Sequence, residues 1–353
     1  MRAITIGMIL AISASACSGA GTVAPASEPA SAPAAASKAT PAQATVTIGQ
    51  VGGVSDAAIY IGQAKGYFAE QGIRLESTLF TTAALMVAPL IRGDIMVGGG
   101  ASGAGLFNAI RTGAAVRIVA DKGNLNPGHG YEAILVRSAV ADQIKGPKDL
   151  RGRSIALSAR DITPEVTLDA YLRTGGLTIK DVNVVVIPHA QMIAGFQTGA
   201  IDAGLPIEPY VSVILDSGFA KLLVRDDAVT PGHQTAVVFY SDQFAKQHDL
   251  AVRFMVAYLK GARFYADAFE KGDAAKQAEA IDILAKATKF DAALLAKVTM
   301  PGIDPNGRVN VKSLGEVQDY LVAKGTQGGP IDLVKVVDLS FADEAVKLLG
   351  AYK

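Results

Sequence analysis

Three stretches of the chain put hydroxyls and carboxylates where a helix should open. There, free backbone N–H groups and the helix dipole can hold a small polar molecule. Ser55-Asp56 follow a strand-like Val46–Gln50 and the break Gly52-Gly53, and Ser55 is a good cap for a helix starting at Asp56. Ser102 lies in the run Gly98-Gly99-Gly100-Ala101-Ser102-Gly103, which a helix over 104–112 should follow. Asp161-Ile162-Thr163-Pro164-Glu165 makes the third opening, with a capping Thr, a Pro suited to the first turn and a Glu favoured by the dipole. Tyr60 and Tyr131 add flat apolar faces with a hydroxyl at the rim. Carboxylates at these openings would compete with an incoming anion, and the nearest cations are Lys122 and Arg160. The expected ligand is therefore a small organic nutrient, neutral or partly cationic and suited to a polar-substituted ring. An alkanesulfonate or taurine comes second and an inorganic anion third.

Other chemistry is less well supported by the residues. Cys17 is the single cysteine, which rules out an intramolecular disulfide or a Cys-based metal site. His129, His189, His233 and His248 are scattered, without metal-ligand spacing, and no nucleophile–base arrangement can be argued from spacing. No metal, no cofactor and no catalytic residue is expected. The run Gly98–Gly103 does match GxGxxG, and Asp121 follows where a ribose-binding carboxylate would stand. A dinucleotide oxidoreductase is thus kept as a third reading, against which export from the cytoplasm argues.

The elements that must position these residues follow a repeated plan. Thr47–Leu79 reads as strand, turn, helix ending at Gly66, short helix from Tyr67-Phe68 to Gly72, and strand from Ile73. A short strand is expected over Asp94–Val97, another over Val116–Ala120, and a loop over Lys122–Gly130. Phe196-x-x-Gly199-x-Ile201-x-x-Gly204 copies Leu90-x-x-Gly93-x-Ile95-x-x-Gly98, which points to two related α/β lobes facing one cleft. Met255, Tyr258, Leu259, Ala262, Tyr265 and Phe269 share one helical face and read as core.

The length fits one large domain or two ordinary ones, with a substantial core to bury. Half of the 353 residues are hydrophobic, and 33 basic residues balance 33 acidic ones, so no basic nucleic-acid surface is expected. Arg2 and the apolar run Ala3–Ile12 resemble a secretory signal peptide. Ala14-Ser15-Ala16-Cys17 resembles a bacterial lipobox, with Ala14 where Leu is usual, so residues 1–17 are read as a signal with Cys17 lipidated. Plain secretion is the alternative, since Ala14 and Ala16 also suit an ordinary signal-peptidase site. Residues 18–44, almost wholly Ala, Pro, Ser and Thr, read as a disordered tether. The expected location is the periplasm or cell surface, membrane-anchored.

The pattern Ser55-Asp56, Tyr60, Gly66-Tyr67-Phe68, Glu70, Gly72-Ile73 and Leu75-Glu76 resembles a family. It is that of the solute-binding proteins of ABC importers for nitrate, sulfonates, taurine and thiamine precursors. Asp149-Leu150, Gly152, Ile155-Ala156 and the closing Val337-Asp338, Phe341, Ala345, Leu349-Gly350 continue the likeness. The resemblance implies a two-lobed, type II periplasmic-binding-protein-like clamshell, each lobe a mixed sheet flanked by helices. One lobe would comprise 46–137 with 234–353 and the other 138–233. It also implies a monomer that delivers ligand to an ABC permease and its ATPase. Glu208-Pro209 resembles the family's cleft-edge loop, which makes Glu208 a ligand or closure contact; the alternative is a carboxylate capping the helix that Pro209 starts. Thiamine-pyrimidine synthases and menaquinone-pathway enzymes share the resemblance, so an enzyme on the same fold is the second reading. The synthases' Cys-rich iron site has no counterpart in a chain whose only cysteine is Cys17.

Overall fold

The computed structural model describes residues 43–352. The signal-like segment, Cys17 and the expected tether up to residue 42 lie outside the described residues. Ala44, expected to end that tether, instead begins a strand, and its N–H donates to the Gly72 carbonyl at 2.8 Å.

The strands in chain order are β1 (Ala44–Gln50), β2 (Ile73–Leu79), β3 (Val97–Gly100), β4 (Val116–Asn124) and β5 (Ala133–Arg137). They continue with β6 (Ser154–Leu157), β7 (Asn183–Val186), β8 (Ala203–Gly204), β9 (Ala220–Arg225) and β10 (Gln234–Ser241). Two sheets result, ordered β2-β1-β3-β10-β4 and β7-β6-β8-β5-β9. The orders correspond place by place. In each sheet three strands run parallel, and then a strand antiparallel to both its neighbours, β10 in one and β5 in the other, intervenes before the edge. The repeated sequence pattern sits at equivalent places. Helices Val87–Arg92 and His189–Thr198 end at Gly93 (φ 82°) and Gly199 (φ 78°), left-handed positions that glycine adopts without a Cβ clash. Ile95 and Ile201 are then buried, and β3 and β8 take the central place of each sheet.

Two boundaries differ from expectation. Ala133–Arg137 was expected to belong to the first lobe, yet β5 pairs with β8 and β9, so the outgoing crossing lies between Asn124 and Ala133. Its first four residues, Ala133 to Val136, are apolar and buried on both faces, which suits an interior place in the second sheet. The returning crossing precedes Gln234, where β10 opens. Lys122–Asn124, expected in a loop, extend β4 instead, because β10 pairs with it as far as Gln234 opposite Asn124.

The glycine run is also strand rather than loop. Gly98, Gly99 and Gly100 belong to β3, and a Cβ on them would approach Phe239 at 3.2 Å, Lys122 at 2.7 Å and Ala83 at 2.6 Å, respectively. These glycines let neighbours pack on the sheet; they do not cradle a phosphate. Asp121 is enclosed and accepts from Gly123 N–H (3.1 Å), Asn124 Nδ2 (3.2 Å), Asp304 N–H (2.6 Å) and the Gln234 amide. No oxygen of that carboxylate is left for a ribose, so the dinucleotide reading fails on geometry.

The core divides along the sheets. Helix His248–Phe269 buries Met255, Tyr258, Leu259, Ala262 and Tyr265 against the first sheet, as the aromatic stripe requires. Three buried tyrosines of this core each find a carbonyl: Tyr240 that of Ala251 (2.9 Å), Tyr258 that of Asp121 (2.6 Å) and Tyr265 that of Pro301 (2.5 Å). A polar group taken out of water needs such a partner.

Candidate functional site

A cleft of about 520 Å³, counting its mouth, opens where the carboxyl ends of both sheets meet. The first lobe contributes Val51, Ser55, Thr81, Thr82, Ala83, Gly100 and Ala101. The outgoing crossing adds Tyr131 and Glu132, the start of β10 adds Thr235 and Ala236, and the second lobe adds Ser158, Ile162, Pro164, His189 and Ile207. No lysine or arginine lines this wall, and Glu132 is its single acidic residue.

Of the residues expected from sequence, Ser55 and Tyr131 line the cleft. Ser55 does not cap its helix. Its Oγ accepts from Lys122 Nζ at 3.0 Å, and Asp56 occupies the cap position of helix Ala57–Ala64. Tyr131 donates to Thr235 Oγ1 at 3.0 Å, and Thr235 in turn donates to the Gly123 carbonyl at 2.8 Å, so the ring is tied to the hinge strands. Burial pushes the Tyr131 hydroxyl well above its usual range, which keeps it a neutral donor.

Asp56 stands behind the cleft wall. It is fully buried with Lys122, Nζ to Oδ1 at 2.8 Å, and its Oδ2 accepts from Gly52 N–H at 2.8 Å. Lys122, expected as a cation near the ligand, is therefore already spent on Asp56 and Ser55. Arg160 is exposed and donates to the Val184 carbonyl at 2.9 Å. Tyr60 points to the other end of its helix, into a groove shared with Lys65, Glu279 and Ile283, away from the cleft. Burial first and Asp56 second raise its hydroxyl pKa.

Ser102, Asp161 and Thr163 form a seam between the lobes. Thr163 donates through both N–H (3.3 Å) and Oγ1 (3.2 Å) to the Ser102 carbonyl, and Ala104 N–H donates to the Asp161 carbonyl at 2.9 Å. Gly103 is needed there, since a Cβ would lie 2.4 Å from the Asp161 carbonyl oxygen. The Asp161 carboxylate, from a left-handed residue (φ 61°), accepts from Lys324 Nζ at 2.6 Å. Lys324 also pairs with buried Glu165, to which Tyr320 donates at 2.9 Å. Glu208 adopts the capping role: its Oε2 accepts from Ser212 N–H at 3.0 Å in helix Tyr210–Asp216, and Arg225 lies 3.5 Å from Oε1. Burial raises its pKa, against those contacts. The neighbouring Ile207, not Glu208, reaches the cleft.

The structure adds Glu132, His189, Thr235, Ser158, Thr81 and Thr82 to the wall. Glu132 is almost fully buried, and its N–H donates to Asp226 Oδ2 at 3.2 Å. Burial raises both carboxyls, and each opposes ionisation of the other. His189 opens helix His189–Thr198 after Pro188, and burial lowers its pKa to about 4. Its Nδ1 is enclosed with no hydrogen-bond partner among the described residues. Pro188 was the sequence signal for this helix start. Glu132 had none, because the crossing segment shows no periodicity and only its enclosure by both lobes makes it part of a wall. No group of residues suited to a metal ion occurs among the described residues, and no described helix is long and apolar enough to cross a membrane.

Solved structures share this arrangement. The alkanesulfonate-binding protein SsuA from Xanthomonas axonopodis pv. citri, bound to MOPS, is 20% identical with TM-score 0.68, over 84% of this chain and 99% of that one. The periplasmic nitrate-binding protein NrtA from Synechocystis PCC 6803 is 16% identical with TM-score 0.74, over 88% and 90%. The desulfurization enzyme DSZB is 16% identical with TM-score 0.61, over 86% and 99%. At such identities the likeness establishes the fold, a two-lobed type II periplasmic-binding-protein architecture of two mixed sheets flanked by helices. No curated protein matches the sequence at a significant level. The family model described as "NMT1/THI5 like" matches residues 55–271, more than half of the chain, and the protein belongs to that family.

Proposed function

We propose that this protein is the extracytoplasmic solute-binding component of an ABC importer, capturing a small organic nutrient between its lobes and delivering it to a permease and its ATPase. The observation that carries this reading is the cleft itself. It is enclosed by two like sheets joined by two crossings, with hydroxyls on both walls. Its lining combines apolar side chains with a few directed polar groups, as small-molecule sites do. Proteins of this fold include binders of alkanesulfonate and nitrate, both anions. Here the wall has a carboxyl and no lysine or arginine, and the one buried lysine behind it is neutralised by Asp56. A neutral or partly cationic ligand fits that balance, and Tyr131 offers a ring face for a heterocycle such as a thiamine pyrimidine precursor. Lipid anchoring at Cys17, with monomeric function at the periplasmic face or cell surface, completes the proposal.

Native mass spectrometry of protein purified from its own envelope fraction tests it. A stoichiometric small molecule released unchanged on denaturation is expected, together with a diacylglycerol mass on Cys17. Chemical turnover of the released compound would identify the enzyme reading instead. Membrane retention of Cys17→Ala would reject the anchor.

A further inference from the structure

We propose that Glu132 is the specificity-determining residue of the cleft, accepting a positively charged or N–H-donating nitrogen of the ligand. This rests on the binding-protein reading above. Three observations converge on it. Glu132 lines the cleft while almost fully buried, and its carboxyl has neither a hydrogen-bond nor an ion-pair partner among the described residues. A carboxyl that faces the cleft with no protein partner is free to accept from a donor brought by a ligand, and that bond gains strength from the residue's largely buried surroundings.

The surroundings set the sign of that donor. Asp226 accepts the Glu132 N–H, and its other oxygen accepts from Asp227 N–H at 3.0 Å, so a second carboxyl backs the first. The nearby cation, Arg225, is turned elsewhere: its Nη1 donates to the Gly130 carbonyl at 2.8 Å and lies 3.5 Å from Glu208. Lys122 is held by Asp56 and Ser55. Among the described residues nothing positive therefore reaches Glu132, so an anion would find no charge partner there, while a cationic donor would favour ionisation of the carboxyl. His189, neutral and with an unpartnered Nδ1, adds a second polar group to the same cleft. Amidines, aminopyrimidines and similar nitrogen bases match this wall, because they present N–H donors on a flat apolar ring.

The test compares wild type with Glu132→Gln, which keeps the shape and replaces the titratable carboxyl with an amide that cannot ionise against a cationic donor. Benzamidine and 4-aminopyrimidine are titrated by calorimetry beside unsubstituted pyrimidine, methanesulfonate and nitrate, and thermal unfolding verifies that the variant is folded. At least one of the two nitrogen bases should bind wild type, and at least tenfold more weakly to Glu132→Gln. Methanesulfonate and nitrate should not displace it. Equal binding to both proteins, or binding of neither base, overturns the assignment. If methanesulfonate or nitrate binds while the bases do not, the binding-protein reading stands and the role of Glu132 falls. If a base is bound but chemically converted, the binding-protein reading is the one that fails.

Discussion

At the scale of single residues, two buried arrangements behave oppositely when disturbed. Lys122 and Asp56 are both inaccessible and bonded to each other, so removing one leaves the other charged and enclosed. Lys122→Met should cost roughly 3–5 kcal/mol in denaturant unfolding, and adding Asp56→Asn should restore part of that loss rather than deepen it. Glu132 and Asp226 instead hold their protons. Burial raises both above their unfolded values, with Tyr131, Asp227, Glu208, Arg225 and His189 as the other titratable neighbours. The folded protein then binds more protons than the unfolded chain around neutrality. The stability these carboxyls contribute is full below their unfolded values and is lost as pH rises through their folded ones. The Tm should fall between about pH 6 and about pH 9, and Glu132→Gln should flatten the fall. On the acid side, His189 and His233 are held down to about 4 by burial, so their contribution is lost as pH drops toward that value.

Among the elements, the tightest crossing joins helices Ala57–Ala64 and His248–Phe269. A Cβ on Gly261 would lie 2.0 Å from the Ala58 carbonyl oxygen and 3.2 Å from Gly62 N, both backbone atoms that cannot swing aside. Gly261→Ala must separate the helices that bury the first lobe's largest core. A loss of about 1–3 kcal/mol is expected, at the upper end of that range, read as a lower denaturation midpoint with unchanged slope. This contact was invisible in sequence: the helical stripe of Met255 to Phe269 was legible from its spacing, and Gly261 falls beside it, but nothing local says that another helix's backbone approaches there. Ser55 shows the same limit. Its position before a helix was legible, but Lys122 draws its hydroxyl away from the cap, and that lysine comes from 67 residues along the chain.

For the molecule as a whole, closure depends on how the lobes are clasped. Lys324, near the end of helix Val311–Lys324, bridges Asp161 and buried Glu165 at the start of helix Thr163–Thr174, with Tyr320 donating to the same Glu165. Those helices belong to opposite lobes. Lys324→Met leaves Glu165 without a charge partner among the described residues and should open the clasp. The ligand-free variant should show a larger radius of gyration by X-ray scattering, and ligand should bind more weakly through faster release. An unchanged radius would mean that the Ser102–Thr163 seam alone holds the lobes together. For an intact protein, ligand at one hundred times its dissociation constant should add about 2.7 kcal/mol to stability.

The sequence by itself determined the local units and their repetition. Strand and helix periodicity, the left-handed glycines at 93 and 199 and the pattern shared by Leu90–Gly98 and Phe196–Gly204 are short-range properties, and they specified two related α/β lobes. Helix openings were equally legible, because caps and prolines act within one turn. Which side chains face the cleft was decided only by tertiary structure. Asp56, Asp161 and Glu208 stand at or beside helix openings as expected, yet each is occupied by a protein group: Lys122 and Lys324 from distant parts of the chain, and for Glu208 the local Ser212 N–H with Arg225 nearby. Glu132 and His189 reach the wall because crossings and helices from separate parts of the chain enclose them. A residue's type says what it can bind; burial and long-range partners decide whether it is left free to do so.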